Sequence, residues 1–407
     1  MKISEKARHA FMLGALCSIS YFAVYIARNI LGAVTPNILS SGAFTADDIG
    51  TMSSVYFAAY AIGQLINGFV GDRIKAKYMI SGGLILAGVT NFIFPYMSGN
   101  VLGATCVYGL TGFSLAMIYA PMTKIVSENT EPIYAVRCSF GYTFASFFAT
   151  PTAGLLATFL AWGAVFTVSS SVLALMGIVA FVFFTVFERR GIVKYGQYEN
   201  KAREQGSIKV LFEHSIVRFT FISVITGVIR TSVIFWLPTY INQHLSFGEK
   251  EATGIYTGAT FIISLMSLIA IFIYEFLGRK RDFTIVVMFA VSVVFFFLTY
   301  LISSPWLNIV FIVLAIMASN GAAAILWSVY CPSLRDTGRV STATGFLDFM
   351  SYMAAAVANK VFPGAVDSIG WGNLILVWCG IVLAGLLVSI PYGRVGIFSK
   401  NRLSEKE

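Results

Sequence analysis

The sequence predicts an all-α membrane protein: 12 transmembrane helices in two pseudo-symmetric six-helix bundles. Three observations carry that expectation. Of 407 residues, 57% are hydrophobic and 12% charged, with a mean hydropathy of +0.79, a composition that excludes soluble globular, disordered and collagen-like chains. Apolar runs recur about every 30 residues, which is one ~20-residue membrane crossing plus its loop, so no separate soluble domain fits. Distinctive residues also repeat at an offset of 202, which points to two related halves.

The first run, 10–39, follows Lys2, Lys6 and Arg8 as the apolar part of a secretory leader would. It continues to about Ser40 without a small-residue cleavage site, so it is read as a first span. Runs at 49–70, 79–97, 101–126, 135–160 and 163–187 complete the first half. A second six are expected at 215–242, 252–276, 283–302, 306–331, 340–364 and 372–391. Between them lies the one long polar stretch, with Arg189, Arg190, Lys194, Lys201, Arg203 and Lys209. The expected organisation is therefore an N-terminal half at 1–187, a cytoplasmic linker at 188–214 and a C-terminal half at 215–407.

A net charge of +9 would raise nucleic acid as a partner for a soluble protein. Here all the basic residues except Arg28, Arg230, Lys250 and Lys360 fall at the termini or toward alternate loops, and the opposite loops carry Asp47, Asp48, Glu249, Glu251 and Asp367. The positive-inside rule then puts both termini in the cytoplasm of a multi-pass cell-membrane protein, with the bilayer and no nucleic acid as partners. The five cysteines lack CxxC spacing and lie in or beside apolar runs, so they are expected to be small core residues, with no disulfide framework and no metal site. The three histidines lie near span ends or loops. No nucleophile constellation accompanies them, so no cofactor and no enzyme activity is expected.

Arg28 and Arg230 have no loop to retreat to. Each is followed eight residues later by a proline, Pro36 and Pro238, and Arg137 and Arg339 share the same 202-residue offset. Such symmetry is characteristic of a transporter with a midplane site between repeats. From Arg28 to Ser40, and from Arg230 to Asn242, is ~18 Å of helix, so both guanidiniums start near mid-bilayer. An arginine there costs about 2.5–3.5 kcal/mol on insertion scales. One alternative is a structural role, with the guanidinium satisfied by helix-end carbonyls. The reading favoured is that both face a water-filled cavity and grip an anion by bidentate hydrogen bonds.

Polar stripes at helical spacing support a cavity. Tyr21, Tyr25 and Arg28 share one face of span 1; Tyr56, Tyr60, Gln64 and Asn67 share one of span 2; Asp348, Tyr352 and Asn359 share one of span 11. Asp348 is the one acidic residue expected inside a span. Neutralising an arginine, carrying a proton and bonding a polar neighbour remain open roles for it.

After span 2, Gly68, Asp72, Arg73 and Lys77 form G-x-x-x-D-R-x-x-x-K. This resembles the signature loop of the major facilitator superfamily, which implies the major facilitator fold and a gating clamp at Asp72, Arg73 and Lys77. The stretches Tyr21–Pro36, Tyr60–Arg73 and Arg230–Tyr240 resemble more narrowly the organophosphate:phosphate antiporter family of glycerol-3-phosphate and hexose-phosphate transporters. That resemblance implies phosphoryl binding by Arg28 and Arg230, with Tyr21, Tyr25, Tyr60 and Tyr352 around the substrate. The chain departs from the family at Gln64, where a lysine is common, and at Phe235 and near Phe144, where the glycerol-3-phosphate branch has a carboxylate and a histidine. The expected function is a monomeric secondary active transporter of a small anionic metabolite, working by rocker-switch alternating access in exchange with phosphate. The alternatives are a proton-coupled symporter of a sugar acid or carboxylate, or a transporter-like sensor of a phosphorylated sugar.

Overall fold

A computed structural model describes residues 4–70, 74–195, 212, 214–334 and 340–391. Every regular element among them is helical. In the first part of the chain these are α1 (Glu5–Ser41), α2 (Ala46–Val70), α3 (Ala76–Ile93), α4 (Val101–Leu115), α5 (Tyr119–Asn129), α6 (Pro132–Phe159) and α7 (Trp162–Arg189). In the second they are α8 (Ile216–Gly227), a π-helical turn (Val228–Val233), α9 (Ile234–Gln243), α10 (Glu249–Phe276), α11 (Arg281–Leu301), α12 (Pro305–Ile325), a second π turn (Leu326–Tyr330) and α13 (Val340–Ser389).

Local sequence sets where these helices begin. The Ser4 hydroxyl accepts from the Ala7 amide at 3.2 Å and opens α1. Before α2, Thr45 and Asp48 cap each other reciprocally: the Thr45 amide donates to Asp48 Oδ2 at 2.9 Å and the Asp48 amide to Thr45 Oγ1 at 3.2 Å. Asn100 Oδ1 accepts from the Gly103 amide at 2.9 Å at the start of α4. α13 holds the two last expected spans in one 50-residue segment, whose backbone turns at Gly370 with φ 76°. A side chain there would be strained, so glycine makes the corner.

Among the described residues, ten helical segments are long and apolar enough to cross a membrane. The last of these, Ala343–Ser389, contains the Gly370 corner. Expected span 5 corresponds to α6, whose shorter apolar stretch is Phe144–Phe159. Expected span 4 breaks into α4 and α5 at 116–118, and expected span 7 is interrupted by its π turn. Large apolar side chains stay exposed where lipid would cover them, such as Leu175 and Ile178 on α7 and Val294 on α11. Inside, Ser20 and Thr35 return their hydroxyls to the carbonyls of Leu16 and Leu31, so neither is left unpaired in an apolar core.

The chain divides into two compact units, Met1–Ala202 with Phe247–Gly258, and Arg203–Ser246 with Ala259–Glu407. Each has the same internal pairing. In the first, α1 lies on α6, with Asn29 Nδ2 donating to Thr150 Oγ1 at 3.1 Å, and α3 lies on α7, with Asn91 Nδ2 donating to Ser170 Oγ at 3.2 Å. In the second, α8 and its π turn lie on the first part of α13: Ser223 and Ser232 donate to the carbonyls of Leu347 and Ala355. α11 lies on the last part of α13, where Cys379 Sγ contacts the Val293 carbonyl. First with fifth and third with sixth thus recur as seventh with eleventh and ninth with twelfth, the repeat that the 202-residue offset announces. One expectation needs correcting: Cys17, Cys138, Cys331 and Cys379 are buried, but Cys106 is exposed on α4. A thiol is apolar enough to face lipid as readily as a core.

Candidate functional site

In the first unit the site grows from one face of α1. Arg28 is 6% exposed, and its guanidinium carbon lies 4.9 Å from the ring centroid of Tyr25, 5.5 Å from that of Phe57 and 5.4 Å from that of Tyr60. Each such contact is worth about 0.5–2 kcal/mol, so three rings offset a large part of what burying the cation costs. Next to Arg28, Asn29 Nδ2 donates to the Tyr25 carbonyl at 2.7 Å and also reaches α6. This ties the turn that carries the arginine to its neighbouring helix.

The aromatic wall continues beyond the arginine. Tyr21 and Tyr25 have ring centroids 4.8 Å apart and hydroxyls 3.4 Å apart. Tyr21 also packs on Tyr119 of α5 and Tyr142 of α6, at 5.5 and 5.9 Å. The expected stripe on α2 divides: Tyr60 turns to Arg28, whereas Tyr56 stacks on Tyr108 of α4 at 4.7 Å. Gly112 makes this possible, because a Cβ there would collide with the Tyr56 carbonyl oxygen and crowd its ring at 3.0 Å. Gln64 is half-buried one turn beyond Tyr60.

In the second unit Arg230 is half-buried within the π turn Val228–Val233. This turn runs beside the Ser351–Ala355 stretch of α13. Tyr352, 2% exposed, belongs to that stretch, and half-buried Asp348 lies one helical turn before it. Asn359, further along α13, is fully buried. A π turn replaces i→i+4 bonding by i→i+5 bonding and frequently marks a functional site.

Of the expected gating residues, Asp72 and Arg73 lie outside the described residues. Lys77 at the start of α3 is buried, and its ammonium donates to Glu188 Oε2 at 2.5 Å. Lys75 donates to Glu188 Oε1 at 2.7 Å, and this hydrogen bond raises the Lys75 pKa above its ordinary value. One carboxylate at the end of α7 thus holds two lysines from the start of α3. The Lys75 ammonium also lies 5.2 Å from the Tyr195 ring, whose phenol burial pushes its pKa up.

Sequence reasoning finds Tyr21, Tyr25 and Tyr60 through their polar tips at helical spacing, but it misses Phe57, Tyr108, Tyr119, Tyr142 and Glu188. Phe57 shares the Tyr60 face at i−3, yet in an apolar helix a phenylalanine carries no signal that separates a cation's neighbour from core. Among the described residues no group of three or more His, Cys, Asp or Glu side chains could hold a metal ion.

Residues 17–359 match the family model described as Major Facilitator Superfamily. The chain is 20% identical to the glycerol-3-phosphate transporter of Bacillus subtilis (strain 168), over 92% of this chain and 90% of that protein. It is also 20% identical to the glucose-6-phosphate exchanger SLC37A2 of Mus musculus, over 86% of this chain and 81% of that one. A segment covering 23% of this chain is 35% identical to the membrane sensor protein UhpC of Salmonella typhimurium, but spans only 21% of that relative's length. Among solved structures, the D-xylose-proton symporter aligns with TM-score 0.71 at 12% identity, over 93% of this chain and 97% of that one, a likeness of fold. The chain therefore belongs to the Major Facilitator Superfamily of multi-pass secondary transporters, and its relatives are those of the organophosphate:phosphate antiporters.

Proposed function

We propose that this protein moves a small organic anion, an organophosphate, across the cell membrane by alternating access, in exchange with inorganic phosphate. The observation that carries this reading is Arg28, buried in the bilayer-spanning part of α1 against the rings of Tyr25, Phe57 and Tyr60. In this reading Arg28 and its repeat mate Arg230 bind the phosphoryl group through paired N–H donors. Tyr21, Tyr25, Tyr60, Gln64 and Tyr352 serve the rest of the substrate. Bound anion lowers the barrier to reorientation, whereas an empty, doubly positive site reorients poorly, and this enforces exchange. Asp72, Arg73 and Lys77 act as the gate, the protein works as a monomer, and both termini are cytoplasmic.

The test is binding followed by transport. Purified protein is screened by thermal shift against inorganic phosphate, phosphorylated sugars and sugar acids, and the screen is repeated on Arg28→Ala and Arg230→Ala. Stabilisation by phosphate compounds that both variants lose, together with phosphate counterflow in proteoliposomes, is the expected result. Undiminished transport by the double variant would refute the reading.

A second reading is favoured by a specific observation, the 35% identical segment shared with a membrane sensor protein. In it the same residues bind a phosphorylated sugar without carrying it across. Ligand-induced stabilisation with no vesicle uptake would select this version.

A further inference from the structure

At the opposite end of α1 from its C-cap, the first unit has a crevice that the transport reading does not use. Its volume is about 450 Å3, and it is lined by Glu5, Arg8, His9 and Met12 of α1 with Arg190 and Ile192 from the end of α7. The four α1 residues have the spacing i, i+3, i+4, i+7 of a single helix face. Two arginines 182 positions apart in sequence are thereby brought to one hollow.

Two arginines against the one Glu5 carboxylate leave the lining with an excess positive charge. Among the described residues, Lys6 is paired with Glu131, Lys75 and Lys77 with Glu188, Arg218 and Arg281 with Asp282, and Arg279 with Glu275. No side-chain hydrogen bond or ion pair engages Arg8 or Arg190 among those residues. The nearest acid to Arg190 in sequence, Glu188, is already shared by two lysines. Glu5 faces His9, with Oε1 and Nε2 3.8 Å apart. The lining also holds the apolar Met12 and Ile192, the latter 9% exposed, and the neighbouring Phe11 is 76% exposed.

We propose that this crevice binds the headgroup of an anionic phospholipid: the phosphodiester sits between the Arg8 and Arg190 guanidiniums, and the glycerol end lies on Met12 and Ile192. Guanidinium forks match phosphate oxygens in pairs, and basic hollows between helices at a membrane boundary suit such headgroups. A free phosphate ion would use the arginines but has no need of the apolar side chains. The hollow also opens where two membrane-spanning helices end, which is where a lipid phosphate lies.

The experiment measures lipid retention by native mass spectrometry on the full chain in detergent, titrated separately with phosphatidylglycerol, phosphatidylcholine and inorganic phosphate. Preferential retention of phosphatidylglycerol is expected. It should weaken roughly thirtyfold in Arg8→Gln/Arg190→Gln and stay unchanged in Arg189→Gln, which alters a neighbouring arginine outside the crevice. If the double variant does not fold, each single variant should show about a fivefold loss by the same reasoning. Equal retention of the two lipids, or retention undiminished in the folded variants, overturns the proposal. So does retention of inorganic phosphate that falls in the double variant while phosphatidylglycerol retention does not, since the occupant would then be a soluble anion. The comparison of the two lipids does not depend on Arg28 or Arg230, so failure here leaves the transport reading untouched.

Discussion

Arg28 is a cation packed against the rings of Tyr25, Phe57 and Tyr60, and that choice of neighbours has consequences for substitution. A lysine keeps the charge but loses the planar fork that matches two phosphoryl oxygens and stacks on rings. Arg28→Lys is therefore expected to weaken phosphate-dependent thermal stabilisation at least tenfold in apparent affinity, and Arg28→Ala to abolish it. Phe57→Leu removes one of three rings, 5.5 Å from the guanidinium, while keeping the position apolar. The expected effect is a loss of about 0.5–2 kcal/mol of support for the buried cation, read as a lower melting temperature of the ligand-free protein. The sequence makes Arg28, Tyr25 and Tyr60 legible, since a charge or hydroxyl in a membrane helix needs a reason. Phe57 is invisible by the same logic, because its role lies in where its ring faces and not in its chemistry.

At the scale of elements, contact between helices sets the site. α4 packs closely on α2 at Tyr56 because Gly112 has no side chain there. Gly112→Ala should cost about 1–3 kcal/mol through overpacking and should also weaken ligand binding, because Phe57 and Tyr60 lie on the same helix. A variant that melts earlier yet binds normally would argue against this mechanical link. At the end of α7, Glu188→Gln leaves the buried Lys77 without its counter-ion. A loss of about 1–2 kcal/mol is expected, most of it from Lys77, since the other lysine is largely solvated.

The far end of α9 adds a pH dependence. Burial against Tyr240, with ring centroids 5.1 Å apart, holds the His244 imidazole below the usual histidine value of 6.5. As pH falls below about 6.5 the unfolded chain takes up the proton first. The contribution of neutral His244 is therefore complete above that pH and is lost as pH falls through the lower folded value. His244→Gln should show a smaller drop in melting temperature between pH 7 and pH 5 than the parent protein. Helix existence was legible at this scale from apolar runs, but the interruptions were not. The break at 116–118 and the π turns arise from backbone hydrogen bonding that has no compositional signature.

For the whole molecule, the repeat was the most informative pattern in the sequence, because an offset shared by three pairs constrains topology as well as composition. It anticipates the matched helix pairings inside each unit, which single-span hydropathy does not. The fixed fold leaves the driving force to be measured. With the exchange mechanism, counterflow of phosphate is expected to be independent of a pH gradient and to persist in Asp348→Asn. Transport that requires an inward proton gradient and is lost in that variant would instead make Asp348 the proton carrier, as its half-buried place before Tyr352 would allow.

The π turn around Arg230 has a further consequence. A wider coil advances through fewer degrees per residue, so eight residues do not sweep the same angle from Arg230 to Pro238 as from Arg28 to Pro36 in unbroken α-helix. The duplication therefore survives in residue count but is broken in azimuth at the pair of positions that the proposed transport reading assigns to substrate. A guest with two unlike ends is better served by such a mismatched pair than by mirror-like hands.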